Sequence, residues 1–137
     1  MADTMRLSIA TPEAVAYSGD VSMVTLPAIE GQIGILPHHI RLITQLVPGE
    51  MIVRKNGREE FLAVGEGLVD VSGDSVNIVT DMAIPSDSID EAKAEQARQQ
   101  AEARLREKLP SQEIASVHAS LARSLAQIYV RRRHCKT

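Results

Sequence analysis

The sequence is poor in aromatic residues, and it has a single cysteine and no long apolar run. Its 137 residues include two Tyr, one Phe and no Trp, too few for the stacking platform that holds single-stranded nucleic acid. Cys135 is alone and cannot form a disulfide framework within the chain. No apolar stretch approaches the ~20 residues that cross a bilayer, and residues 1–6 lack the features of an export signal. We therefore expect a protein of a reducing compartment, without a nucleic-acid partner or a transmembrane span.

Charge and glycine are distributed unevenly along the chain. Hydrophobic residues make up 44% and charged residues 24% of the sequence, which is typical of globular proteins. Residues 1–85 carry five basic and eleven acidic side chains, whereas residues 86–137 carry ten basic and seven acidic ones. All eight glycines lie before residue 74. These shifts predict two parts that divide near Pro85 and have different partners.

The first part has the turn spacing and the β-branched content of an antiparallel sandwich. Asn56-Gly57 suits the two central positions of a type I′ turn, so residues 51–64 are predicted to form a hairpin. A second hairpin is predicted to turn at residues 72–74. The turn spacing predicts about eight to ten short strands in all. Further strands are expected at Met5–Ile9, Val21–Leu26 and Leu42–Leu46.

The sequence after residue 85 has the composition of a helix. Ser88 and Glu91 match a capping box, in which each side chain bonds the backbone of the other residue. A first helix is therefore predicted from this point to Leu109. Glu102 and Arg106 are expected to pair along it, because they lie one turn apart.

A second helix is predicted over residues 111–131. Its apolar residues recur every three or four positions and so lie on one face: Ile114, Val117, Leu121, Leu125 and Ile128. The apolar seam of the first helix is thinner and rich in alanine: Ala97, Ala101, Leu105 and Leu109. An Ala–Leu seam buries less than about half the apolar area of a Leu–Leu seam. We therefore expect an antiparallel hairpin that packs against the sandwich or against another surface and detaches easily.

No arrangement of residues predicts an active site. His38 and His39 are adjacent, so on a strand their side chains would point to opposite faces, and no further ligands lie at metal-site spacing. Gly31-Gln32-Ile33-Gly34 lacks the third glycine and the Lys-Ser/Thr ending of a phosphate loop. The basic run at residues 131–136 is interpreted as a solvated helix end or as a contact for an acidic or anionic surface. We therefore expect an interaction or regulatory module without a cofactor.

Several short motifs follow one another in a fixed order through residues 11–81. They are Thr11-Pro12-Glu13, Ser18-Gly19-Asp20-Val21, Leu26 to His39, Leu42-Ile43-Thr44, Pro48-Gly49, the Asn56-Gly57 hairpin, Gly65 to Val71 and Val76 to Asp81. Their order and spacing resemble the epsilon subunits of F-type ATP synthases, and the predicted helical hairpin follows where that family has one. The resemblance implies a ten-stranded β-sandwich over residues 1–85 and a two-helix hairpin over residues 86–137.

The resemblance also implies a non-catalytic subunit of the central stalk, which couples proton-driven rotation of a membrane ring to ATP synthesis in the catalytic head. The sandwich would bind the gamma subunit and the rotor ring. The matching partner-binding residues are Glu30, Gly31, Gln32, Gly34, His39 and Arg41. The loop at Glu30-Gly31-Gln32 would meet the ring, and His39 would lie near gamma. Gln32 stands where some members carry an acidic residue, so a charge pair with the ring is not expected.

In some members of this family the hairpin blocks ATP hydrolysis, and in some it binds ATP through an Ile-Asp-x-x-Arg-Ala motif. The residues that match this nucleotide site are Ile89, Asp90, Lys93, Ala94 and, on the second helix, Arg123. Lys93 replaces the arginine of the motif, and Gln127 stands in place of another arginine. Since both changes remove a planar, bidentate cation, we expect weak or no ATP binding. Inhibition by the hairpin, and its contact with the alpha and beta subunits, stay open.

Two other functional classes also stay open. A free-standing adaptor with a sandwich and a helical arm would not co-purify with a large ATPase. An enzyme that uses His39 and a carboxylate would lose its turnover on a His39→Ala change. The resemblance, together with a start at Met1 without a targeting segment, predicts a peripheral protein on the cytoplasmic face of the bacterial inner membrane.

Overall fold

Strands occupy the first part of the chain and helices the second. A computed structural model describes residues 3–134, and within them it has ten strands, a short 3₁₀ turn and two α-helices. The strands are β1 (Met5–Ala10), β2 (Val15–Val21), β3 (Met23–Ala28), β4 (Gly31–Ile35), β5 (His39–Leu46), β6 (Gly49–Lys55), β7 (Arg58–Val64), β8 (Gly67–Gly73), β9 (Ser75–Thr80) and β10 (Ala83–Pro85). The 3₁₀ turn covers Ser86–Ser88, and the helices are α1 (Glu91–Leu105) and α2 (Ser111–His134).

The ten strands form one sheet that is rolled so that its inner face encloses a core. Its order is β10-β7-β6-β3-β5-β8-β9-β1-β2, with β4 paired to β3. Pairing is antiparallel except between β1 and β9. Alternate residues of the strands point into the core, as the period of two requires, and Leu7, Leu26 and Val53 are fully buried there. The predicted sandwich followed by two helices is confirmed.

Both predicted hairpins are confirmed. Lys55 pairs with Arg58 across the first turn, where Asn56 and Gly57 have φ of 54° and 76°, as a type I′ turn demands. Ser72 pairs with Ser75 across the second turn. The predicted strand Val21–Leu26 is wrong as a single unit, because the chain leaves β2 and enters β3 at Ser22.

Strand β7 departs from the alternation and shows where the hairpin packs. Leu62, Ala63 and Val64 are consecutive, and all three are buried. Leu62 and Val64 face the main core, whereas Ala63 belongs to a second apolar cluster with Met82, Ile89, Ala126 and Val130. Helix α2 therefore covers the outer side of β7. The division of the chain at residue 85 stays a prediction.

The predicted start and end of the first helix were wrong. Helix α1 is capped by Asp90, whose carboxylate accepts the Lys93 N–H at 3.1 Å, and Ser88 lies in the 3₁₀ turn before it. Asp90 directly precedes the first helical residue, so its carboxylate can accept a backbone N–H that has no partner within the helix. Ser88 lies two residues before that position. The helix ends at Leu105 instead of Leu109, and Arg106 is its C-cap residue.

The predicted pairing within α1 was also wrong. Glu102 accepts a hydrogen bond from Arg98 at 2.5 Å, and Arg98 bonds Glu95 as well. Arg106 is the C-cap residue of the helix. The pair that forms lies one turn earlier, because Arg98 has a carboxylate on either side of it at helical spacing.

The apolar stripe predicted for α2 is only partly buried. Val117 and Ile128 are buried, but Ile114 and Leu125 are 39% and 47% exposed. The helix packs against two neighbours at once, α1 and the sheet, and the residues that face the sheet are Ala126 and Val130. A single apolar stripe with a period of 3.6 residues predicts one buried helix face and one packing neighbour. It therefore does not predict the face of α2 that packs against the sheet.

Candidate functional site

The paired histidines lie in an exposed turn and at the start of a strand. His38 precedes β5 with φ of 67°, so it is not on a strand as expected. Its ring nitrogens lie 3.4 Å from Asp3 and 3.2 Å from Asp74, all on exposed side chains. His39 Nδ1 lies 2.7 Å from the Ile40 carbonyl oxygen. Within residues 3–134, no three His, Cys, Asp or Glu side chains are placed to share a metal ion.

Four of the six predicted partner-binding residues lie together at the β3–β4 turn. Ile29 and Glu30 form the turn, Gly31 begins β4, and Gln32 and Gly34 follow on that strand; all four predicted residues are exposed. Gly31 has φ of 124°, a conformation that other residues rarely adopt. The turn and the start of β4 thus present Gly31 and the neutral amide of Gln32 to the outside.

A hydrogen bond from the sheet fixes this turn. The Thr44 hydroxyl on β5 donates to both carboxylate oxygens of Glu30, at 2.5 and 2.9 Å. This bond favours the charged form of the carboxyl, and the pKa of Glu30 is lowered from its ordinary value. The Ile29 N–H also donates to the Gln45 carbonyl at 3.0 Å. Glu30 is exposed but its carboxylate is bound to the sheet, which leaves Gly31 and Gln32 as the exposed residues of this region without that bond.

The other two predicted partner-binding residues lie at the opposite end of β5. His39 and Arg41 begin this strand, beyond a bulge that shifts the register between His39 and Leu42. At ~3.3 Å per residue, His39 is about 16 Å along the strand from Thr44. The structure therefore does not bring the six residues into one site but separates them into two regions.

Sequence reasoning missed exposed apolar residues that extend from Ile40, beside His39 and Arg41, along β5 and across β8 to β9. Ile40 is 81% exposed, Ile43 and Leu68 are each 62% exposed, and Val79 is 63% exposed. Leu68 and Val79 are directly paired across β8 and β9, and they line an apolar cleft of about 420 Å³ with Thr11. The sequence does contain a signal: consecutive apolar residues in one strand, such as Leu68-Val69, place one side chain outside when the other is in the core.

Most of the residues predicted for a nucleotide site meet in one cleft. Ile89, Asp90, Lys93 and Ala94 line about 420 Å³ between the sheet and the hairpin, together with Gln127. Among the described residues that line it, Lys93 is the only cation. The Asp90 carboxylate is already occupied, because it caps α1.

Arg123 lies outside this cleft. It lines a neighbouring space of about 330 Å³ between the two helices, together with Gln100 and Arg104. Its guanidinium is bound to Asp81 at 3.1 Å, so it holds α2 to the sheet. The structure thus separates Arg123 from the other four predicted residues and assigns it a partner within the chain.

The basic residues at the end of α2 also bind carboxylates. Arg132 donates to Glu91 at 2.5 Å, and Arg133 lies 3.3 Å from Glu50. Arg131 donates to the Ser86 carbonyl at 3.3 Å. All three arginines lie in the last turn of α2, and Arg132 and Arg133 stay exposed, so the interpretation of a solvated helix end agrees with the structure. The prediction for Cys135 concerns a residue outside the described range. Neither helix in the described part of the chain has the length and apolar content needed to cross a membrane.

Comparisons with known proteins cover the chain almost from end to end. Residues 4–86 match the family model of the ATP synthase delta/epsilon chain β-sandwich domain, and residues 87–130 match that of its long α-helix domain. The chain is 40% identical over 126 residues to an ATP synthase epsilon chain of Herpetosiphon aurantiacus, covering 92% of this chain and 93% of that one. It is 39% identical over 127 residues to one of Halorhodospira halophila, covering 91% and 90%.

Solved structures share the fold. A chain in the mitochondrial ATP synthase of Euglena gracilis (OSCP/F1/c-ring, rotational state 1) superposes with a TM-score of 0.72 at 23% identity, covering 87% of this chain and 76% of that one. A chain in the central stalk and c-ring of the Tetrahymena thermophila enzyme gives 0.64 at 15% identity, covering 98% of both. At these identities the likeness concerns the architecture.

Proposed function

The chain belongs to the delta/epsilon chain family of ATP synthase, and on that premise we propose that it is a non-catalytic rotor subunit of the central stalk. It would rotate with the membrane ring and pass torque to the catalytic head. The observation that carries the proposal is the continuous match from residue 4 to residue 130, through sandwich and helices alike. We propose residues 1–85 as the coupling part and residues 86–137 as a regulatory arm.

The build of the sandwich supports a role in transmitting force. Ten strands share one hydrogen-bonded sheet, and the inward-facing side chains of its strands fill the core. Such interiors are packed as densely as organic crystals and deform little. A part that must pass torque without bending needs this property, and it needs no catalytic group.

We infer that the β3–β4 turn meets the rotor ring. Gly31 and Gln32 are exposed, and the bond between Thr44 and Glu30 ties the turn to the sheet. Gln32 offers an amide that both donates and accepts hydrogen bonds. The contact is therefore a polar fit between backbone and amide groups, without a charge pair.

The gamma subunit is the partner proposed for the opposite end of β5. His39 and Arg41 supply polar groups there, and an exposed apolar surface runs from Ile40 beside them, past Ile43, to Leu68 and Val79 farther along the sheet. Contiguous apolar patches of this kind mark protein interfaces. Through gamma and the ring, the protein would be held at the cytoplasmic face of the bacterial membrane, as part of a membrane-associated complex.

For the hairpin we propose regulation without strong nucleotide binding. The cleft that holds Ile89, Asp90, Lys93 and Ala94 has one cation, and its aspartate already caps a helix. The Gln127 amide lies 3.2 Å from Met82 Sδ and brings no charge. A triphosphate carries several negative charges and is held mainly by charged hydrogen bonds, so weak or no ATP binding is expected. Contact of the helices with alpha and beta subunits is proposed only for a hairpin that has left the sheet.

Co-purification tests the proposed function. Tagged protein recovered from detergent-solubilised membranes is expected to bring the alpha, beta and gamma subunits with it. A Leu68→Asp change should reduce this recovery, because it places a charge on an exposed apolar face without disturbing the core. An Ile114→Asp change on α2 is the matched control and should leave recovery unchanged.

Two results would contradict the proposal in different ways. Protein that purifies alone from cells whose ATP synthase is complete and coupled without it would favour a free-standing adaptor. Loss of a chemical turnover on a His39→Ala change, with assembly intact, would favour an enzyme. For the regulatory arm, deletion of residues 86–137 is expected to change the rate of ATP hydrolysis by the assembled complex. An unchanged rate would exclude a brake.

A further inference from the structure

The outer side of the last turns of α2 carries an exposed apolar patch. Leu125 and Tyr129 remain 47% and 54% exposed. With Ile128, Arg132 and Arg133 they line a cleft of about 460 Å³, and these five residues are called the α2 patch. Large apolar side chains that stay exposed next to one another are a common feature of interaction surfaces.

A buried carboxylate holds this end of α2 in place. The Glu50 side chain on β6 is only 7% exposed, and both Arg133 and His134 bind it. The His134 ring also stacks on Phe61, with ring centroids 3.5 Å apart and planes 9° from parallel. A buried carboxylate that loses its charged partners lowers the stability of the fold, because its charge is then left uncompensated away from water. Glu50 therefore favours the arrangement in which α2 lies against the sheet.

This anchoring places the α2 patch beside the β3–β4 turn. Tyr129 and Arg133 line a cavity of about 220 Å³ together with Pro27, Gln32 and Glu50. Gln32 is the residue that the turn presents to the outside. The exposed amide and the exposed phenol ring thus belong to one continuous surface, although 97 positions separate them in the sequence.

We propose that the α2 patch and the β3–β4 turn together contact the rotor ring when the hairpin lies against the sheet. The inference rests on the proposed function, since that assigns the turn to the ring. Here α2 acts as part of the coupling surface. Departure of the hairpin would remove its share of that surface and uncover the Glu50 carboxylate next to Gln32.

The charges of the patch favour a protein surface over a lipid surface. Arg132 is bound to Glu91, and Arg133 is bound to Glu50 and donates to the Tyr129 hydroxyl at 2.8 Å. Both guanidinium groups are therefore compensated within the chain. Attraction to anionic lipid depends on uncompensated basic charge near the membrane, whereas an apolar ring flanked by compensated polar groups is typical of protein interfaces.

Photo-crosslinking in the assembled complex tests this inference. The photoreactive residue p-benzoylphenylalanine is placed singly at Gln32, at Tyr129 and at His118, and native membranes are irradiated. His118 is exposed on the same helix, three turns before Tyr129 and so about 16 Å away along the axis. We expect adducts with the ring subunit from Gln32 and Tyr129 and none from His118. A Glu50→Gln change should reduce the Tyr129 adduct several-fold and leave the Gln32 adduct intact, whereas Glu59→Gln should change neither.

The outcomes separate this inference from the proposed function. Ring adducts from Gln32 but only lipid, gamma or no adducts from Tyr129 would overturn the inference and leave the proposed function standing. Equal ring adducts from His118 and Tyr129 would overturn it as well, because the contact would not belong to the end of α2. A Tyr129 adduct unaffected by Glu50→Gln would overturn the role of Glu50 as anchor. Absence of ring adducts from Gln32 itself would count against the proposed function.

Discussion

Replacement of Val130 by alanine should loosen the hairpin without harming the sandwich. Val130 is fully buried, and its neighbours Ala63, Met82 and Ile89 lie in the small cluster between α2 and the sheet. The change removes two methyl groups at about 0.8 kcal/mol each, and the space left behind adds to the loss. We expect docking to weaken by about 2 kcal/mol, or roughly 30-fold in its equilibrium constant.

Leu125→Ala is the control that makes this prediction specific. Leu125 belongs to the apolar stripe that periodicity predicts, but it is 47% exposed, and surface changes of this kind usually stay within about 0.5 kcal/mol. Hydrogen exchange of the α2 amides measures the opening directly. Protection in α2 should fall in Val130→Ala and hold in Leu125→Ala, with β8 and β9 unchanged in both. Equal loss of protection in the two variants would refute the placement of the buried face of α2.

Two further predictions concern single hydrogen bonds. Asp90→Ala should lower the stability of α1 by about 1 kcal/mol, whereas Ser88→Ala should leave urea denaturation followed by circular dichroism unchanged; the reverse order would restore the capping box as the true start of the helix. Thr44→Val should raise the pKa of the Glu30 carboxyl towards its ordinary value, because the bond that lowers it is gone. Since the pKa of Glu30 is lowered in the folded protein, the bond stabilises the turn above the ordinary carboxyl pKa and is lost as the pH falls through the lowered value. A ¹³C NMR titration of Glu30 that is identical in the two proteins would contradict this.

Features that depend on neighbouring residues were predictable from the sequence. The Asn56-Gly57 turn forms where expected because its positive φ angles suit few other residues. The change from strands to helices after residue 85 follows from composition. Competition between nearby groups was harder to judge. Asp90 and Ser88 both have capping side chains, and only the position of the first helical turn decides which of them is used.

Contacts between distant residues were not predictable. Periodicity identified α2 but not its second neighbour, so Leu125 was expected in the core, and Ala126 and Val130 were not. The matched nucleotide residues Ile89, Asp90, Lys93 and Ala94 share a cleft, yet Arg123 is bound to Asp81 instead. Nothing in the spacing along the chain indicates that choice, because Asp81 lies 42 positions away, in the connection between β9 and β10.

The sequence by itself determined which segments become strands, turns and helices, and it carried the motifs of the family. Those properties arise from backbone preferences and from apolar patterns that span only a few neighbouring residues, so they do not depend on distant parts of the chain. Tertiary structure alone decided that His39 and Gln32 lie in separate regions, and that Glu50 and His134 meet across 84 positions. Such meetings depend on how the sheet rolls and on which side of α2 faces it, and many residues together set both.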